Sequence, residues 1–196
     1  MKNTVFSVLI LLSAVFLSSC ISTNINHAES NSQISFSDSW TDSDFRHVTE
    51  SLIQDCVNST GVNNYKNKSE ELPRVIIGKI TNKSEGHIDS SKLVRRFQTA
   101  IINSGAMKIV SSSEHTVSQN DEVDEYYAFD KLKQTALELG ADFILCGTVH
   151  SKTENKENHH ISTFLIDMEL FDIHNDCVLW QGINDDIKKR SSGPRI

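Results

Sequence analysis

The chain has 196 residues, 19 of them Lys or Arg against 26 Asp or Glu, for a formal net charge of -7. That acidic balance argues against a nucleic-acid or anionic-lipid surface, because both need clustered Lys and Arg. Beyond the first twenty residues no apolar run approaches the ~18 that a membrane-spanning helix requires, so no span is expected there.

The N-terminus is built differently. Lys2 precedes an almost unbroken apolar run from Val5 to Phe16, the length of a signal-peptide core and too short to cross a bilayer as a helix. Leu17-Ser18-Ser19-Cys20 follows and resembles the lipobox of bacterial lipoproteins. That resemblance implies diacylglyceryl transfer to the Cys20 thiol, cleavage before it and acylation of the new amino group. The alternative is an ordinary secretory signal with a chance cysteine. Two or three acyl chains would hold the protein stably on a membrane.

The expected organisation is a signal peptide over 1–19, lipidated Cys20 with a flexible tether over 20–40, one globular domain over 41–190, and a disordered tail over 191–196. The tether is rich in Ser and Asn and too poor in large apolar residues to fold. Fully stretched, its ~20 residues reach about 65–70 Å, and their typical end-to-end distance is nearer ~25 Å.

Apolar residues Phe45, Val48, Leu52, Ile53, Cys56 and Val57 recur at helical spacing after cap candidates Thr41, Asp42 and Ser43, which predicts an amphipathic helix. A polar connection from Gly61 to Glu71 leads to Arg74–Ile80, a β-branched run read as a buried strand. After the polar loop Thr81–His87, Asp89 caps a second helix with Leu93, Phe97, Ala100 and Ile101 on one face. Gly105 stops it before a short strand over Met107–Val110. A third helix runs from about Glu125 to Leu139 and closes at Gly140. Ala141–Val149 is a central strand and Ser151–Asn158 a charged turn. His160–Ile173 alternates, with Phe164, Ile166, Met168 and Leu170 facing one way and Leu165, Asp167, Glu169 and Phe171 the other. Cys177–Ile183 returns antiparallel with Val178 and Trp180 on one face, and the basic tail from Ile187 frays. This order predicts an α/β (α+β) fold, a single mixed β-sheet of about five strands with helices packed on it.

Cysteine chemistry is sparse. Cys56, Cys146 and Cys177 form no CxxC, and Cys146 and Cys177 read as small buried hydrophobes. A Cys146–Cys177 disulfide would need their strands adjacent and in register.

No serine-hydrolase elbow, zinc-protease helix, phosphate loop or dinucleotide loop occurs. Asp167 and Glu169 could be paired acids, but without a cleft motif they read as a solvated face. His150, His159 and His160 flank a turn and could hold Zn²⁺, against the plainer reading of a polar hairpin end with no third ligand. The expectation is therefore no enzyme, no catalytic residue, no cofactor and no metal site. What remains is protein binding, with the loop Asn82–His87 as the candidate surface. Asn82, Lys83 and His87 on that loop, with Arg74 and Lys79 beside it, are the candidate partner-binding residues. The alternative is that Asn82 only shapes a turn. Leu165 and Phe171 offer apolar anchors if no helix covers them.

Five stretches, covering roughly 40–190, carry a resemblance. They are Asp42-Ser43-Asp44-Phe45-Arg46; Arg74-Val75-Ile76-Ile77-Gly78 with Asn82-Lys83; His87-Ile88-Asp89 with Ile101-Ile102-Asn103-Ser104-Gly105; Leu139-Gly140-Ala141-Asp142 into Phe143–Gly147; and Met168-Glu169-Leu170-Phe171-Asp172 with Val178-Leu179-Trp180. In this order the chain resembles the LpoB lipoprotein activators of bifunctional penicillin-binding proteins, and the wider TolB-N-terminal-like fold. The resemblance implies a monomeric lipoprotein, anchored most naturally in the outer membrane and facing the periplasm. It would raise the glycan polymerisation and crosslinking of a bifunctional penicillin-binding protein allosterically. Two features depart from the family pattern: the hairpin turns on Asn175-Asp176 where Thr-Gly is usual, and the tether is short. The competing readings are an assembly lipoprotein of CsgG or flagellar-accessory type, which would oligomerise, and a metal- or small-ligand-binding lipoprotein.

Overall fold

Thr41 starts the first helix. Its hydroxyl accepts from Asp44 N (3.3 Å) and the Asp44 carboxylate accepts from Thr41 N (2.6 Å), so two backbone donors of the first turn are satisfied reciprocally. In this computed structural model, which describes residues 39–110, 125–156 and 159–192, α1 spans Asp42–Asn58 and buries the six apolar residues its spacing marks. The signal-peptide residues, Cys20 and the tether lie outside the described residues.

The expected polar connection is instead a helix, α2, Thr60–Lys68. Ser59 caps it, accepting from Val62 N. Val62 is fully buried, and the Tyr65 ring meets Phe143 edge-on at 4.9 Å. Two apolar residues three apart hold a helix once a surface exists to receive them, but they are too few to read as a period.

β1 (Arg74–Asn82) leads to α3 (Ser90–Ser104), capped by Asp89 and closed by Gly105 at φ 63°. The left-handed conformation there is one that glycine adopts without strain. β2 (Lys108–Ile109), α4 (Glu125–Glu138), β3 (Phe143–Lys156), β4 (His159–Asp172), β5 (Cys177–Asn184) and β6 (Lys188–Ser192) follow. The sheet order is β2-β1-β3-β4-β5, with β6 beside the first half of β4. β1 runs parallel to β2 and β3, and the other pairs are antiparallel. The mixed α/β sheet expected from sequence is present, with six strands among the described residues.

Three local expectations are corrected. The charged stretch after Val149 is not a turn: β3 continues to Lys156 and pairs it with His159. The basic tail does not fray from Ile187, because Lys188–Ser192 pairs with His159–Thr163. Lys189 lies inward, only 3% exposed, and its ammonium is paired with Asp44 at the start of α1. Finally, Val178 and Trp180 do not share a face. A bulge sets Trp180 opposite Leu170 and Val178 opposite Phe171, so Trp180 is buried and Val178 is 49% exposed.

The two faces of the sheet are unequal. Helices α1, α2 and α3 pack on the inward face, with Val75, Phe143, Leu145, Val149, Ile166, Met168 and Leu170 beneath them. On the outward face α4 covers a smaller patch of Ile76, Ile144, Ile173 and their neighbours. Cys146 and Cys177 lie on opposite sides of β4, opposite Glu169 and Asp172 respectively, so they are two strands (~10 Å) apart. Both are free thiols, as is Cys56; Cys146 is half-buried, whereas Cys177 is exposed and not the buried hydrophobe expected. Burial pushes the Cys146 thiol up to about 11 and that of Cys56 to about 12, which leaves neither a nucleophile. Among the described residues no helix is long and apolar enough to cross a membrane.

Candidate functional site

At one end of the sheet, Leu139-Gly140-Ala141-Asp142 joins α4 to β3. Gly140 is left-handed at φ 67°, and a Cβ on it would stand 2.7 Å from an Arg74 guanidinium nitrogen. Arg74 Nη2 donates to Leu139 O (3.0 Å), and Arg74 N donates to the Asp142 carboxylate (2.7 Å). His174 lies 3.6 Å from the same carboxylate. Arg74 is thus half-buried in a clasp tying the start of β1 to the end of α4. The four-residue signal in the sequence marks a joint here.

The loop after β1 is the other end. Asn82 Nδ2 donates to Gly86 O (2.9 Å), and its Oδ1 accepts from both the amide and the hydroxyl of Ser84. These bonds shape the turn. Lys83 N donates to Val149 O and Glu85 N to Ser151 Oγ (3.0 Å), which seats the loop on β3. Lys79, Lys83 and His87 are exposed. Of the five candidate residues, three therefore share this loop, Lys79 stands before it on β1, and Arg74 sits at the far end of the strand.

The three histidines do not converge. His150 pairs with Leu165 and His159 with Lys156, and His160 projects from the opposite face to both. His160 Nδ1 bonds Asn155, His150 Nε2 bonds the Thr148 hydroxyl, and Arg190 donates to His159 Nδ1. Among the described residues no group of three metal-binding side chains gathers.

A further open surface is the outward face of β3, β4 and β5. Of the two expected anchors, Phe171 is covered: Phe129 of α4 meets it edge-on at 5.2 Å and Lys133 lies 5.5 Å from its ring. Leu165 is half-exposed beyond the reach of α4. Cross-strand rows extend the surface to either side, Thr148–Asp167–Ile183 and Cys146–Glu169–Gln181. Ile183 is 58% exposed, and Gln181 Nε2 donates to Asp167 Oδ1 (3.1 Å). At the hairpin end the row becomes basic, Lys152–Thr163–Lys188. Leu165 thus lies between this basic row and the acidic residues Asp167 and Glu169, with Ile183 beside Asp167 and Ile161 beyond the basic row. Ile183 faces outward by simple alternation from the buried Trp180, since the β5 bulge lies before Trp180 and turns only Val178.

The paired carboxylates Asp167 and Glu169 lie partly exposed on this one face. The family model described as peptidoglycan-synthase activator LpoB matches residues 44–185. Among solved structures, the LpoB C-terminal domain from Escherichia coli is 14% identical, covering 71% of this chain and 96% of that one, with a TM-score of 0.47. The LpoB C-terminal domain from Salmonella enterica is 15% identical, covering 63% and 90%, with a TM-score of 0.44. Lipoprotein GNA1162 from Neisseria meningitidis is 18% identical, covering 61% and 83%, with a TM-score of 0.44. None of the curated proteins matches the chain.

Proposed function

Since the chain belongs to the LpoB family of peptidoglycan-synthase activators, we propose that it binds a bifunctional penicillin-binding protein and raises its activity without chemistry of its own. The family match across 44–185 carries this reading, because it spans nearly the whole folded region and not a shared motif. In this reading Cys20 bears the lipid anchor, the protein is a monomer on the outer membrane facing the periplasm, and residues 20–40 are its leash. Activation is a shift of the synthase toward a competent conformation, by as much as the lipoprotein binds that conformation more tightly.

The docking surface in this proposal is the open outward face, with two anchors: Leu165, between the Asp167/Glu169 and Lys152/Lys188 rows, and Ile183, beside Asp167. Apolar anchors inside a polar rim are the pattern in which few residues carry most binding energy. Lys79, Lys83 and His87 steer the encounter, while Arg74 and Asn82 serve the fold.

The test is capture from detergent-solubilised envelopes on the immobilised chain, read by mass spectrometry. Enrichment of a bifunctional penicillin-binding protein is the expected result. Recovery of only further copies of the chain, or of secretion or flagellar components, would overturn the proposal in favour of an assembly role.

A further inference from the structure

Where the loop Asn82–His87 lies over the far ends of β3, β4 and β6, it leaves a cleft of about 330 Å³. That is within the ~300–1,000 Å³ of small-ligand sites. The cleft opens on the inward side of the strands, so the docking surface does not use it.

Its walls offer donors and acceptors together. The Thr153 and Ser162 hydroxyls stand 2.9 Å apart, and Thr153 also donates to the Glu85 carboxylate (3.3 Å). His160 Nδ1 is 2.6 Å from Asn155 Oδ1; with that oxygen accepting, Nδ1 carries the proton and Nε2 is left as an acceptor. Lys189 gives one N–H to Asp44, and an ammonium has three to give. The wall also has an apolar part: a Cβ on Gly86 would stand 3.0 Å from the Phe164 ring, so glycine lets the loop close down on that ring.

The charge on these walls decides the ligand class. Asp44 cancels Lys189, and Glu85 adds a negative charge at the rim, so a small inorganic anion finds no surplus positive charge. A ligand that both donates and accepts, and has an apolar ring face, matches the mixed wall. We propose that this cleft binds a neutral polyhydroxylated ligand of the N-acetylhexosamine class. The acetamido carbonyl takes a remaining Lys189 donor, ring hydroxyls exchange with Ser162 and His160 Nε2, and ring C–H groups rest against Phe164.

The experiment is a titration of the full chain in detergent micelles with N,N′,N″-triacetylchitotriose, followed by amide chemical shifts, with inorganic phosphate as the second probe. Saturable shifts at Ser151, Ser162 and Ser191 are expected with the sugar. In Ser162→Ala the affinity should fall by about tenfold, the worth of one or two hydrogen bonds. Thr153→Val, which keeps the volume, should weaken binding without moving the thermal midpoint. Absence of saturable shifts with the sugar, binding undiminished in both variants, or shifts with phosphate alone would each overturn the proposal. No synthase is present in the assay, so its outcome is independent of the docking reading.

Discussion

The two faces of β4 share one backbone and meet opposite surroundings. Inward, Phe164, Ile166, Met168 and Leu170 are at most 3% exposed beneath three helices. Outward, Leu165, Asp167 and Glu169 alternate with them and stay half-exposed, because α4 reaches only as far as Phe171. The inward face holds the fold, at about 1.5–3 kcal/mol for each large side chain buried. The outward face is the one proposed for docking, and substitutions on the two should separate stability from binding.

The largest stability effect is expected inward. Leu170→Ala should cost about 2–5 kcal/mol, read as a lower midpoint in urea or thermal unfolding. A midpoint close to that of the unchanged chain would mean the helices do not seal this face. Next comes the joint between the N- and C-terminal elements. Asp44→Ala strands the Lys189 ammonium in the interior and should cost about 2–3 kcal/mol, with hydrogen-exchange protection of β6 lost first.

The same pair sets an acid dependence. Burial opposes ionisation of Asp44, but bonds from Lys189 and Thr41 outweigh it and hold the carboxyl below its ordinary 3.8. Because the folded-state value is depressed, the stability it adds is complete above the ordinary carboxylate range and fades as pH falls through the lowered value. Melts between about pH 4 and about pH 2 should show this loss, and Asp44→Asn should flatten it. A smaller contrast sharpens the Arg74 assignment. Arg74→Ala should destabilise by about 1–2 kcal/mol through the clasp, whereas exposed Lys79→Ala should stay within about 0.5 kcal/mol of the unchanged chain.

What could be read from sequence follows how local its cause is. The β4 alternation, the Asp89 cap and the glycines at 105 and 140 are set by neighbours in the chain, and each appears where its residues place it. α2 has only Val62 and Tyr65 to bury, and forms because Phe143 and Leu179 receive it. β6 reads as a charged tail until Asp44, far away in sequence, neutralises Lys189. Arg74 looks like a surface cation, since its acceptors lie on Leu139 and Asp142. The cleft is assembled from one loop and three strands, so no stretch of sequence carries it. The family resemblance was legible from five ordered stretches. Of the proposed docking face, Leu165 was legible, Phe171 is covered by α4, and Ile183 follows from its alternation with Trp180 but was not singled out.

The most direct test of the division between the faces is the affinity of a purified bifunctional penicillin-binding protein for the full chain, compared with Leu165→Glu and Ile183→Asp. Each substitution should leave the thermal midpoint in place and weaken binding by about tenfold to a hundredfold. Undiminished affinity in both, with the fold intact, would contradict the assignment of recognition to the outward face.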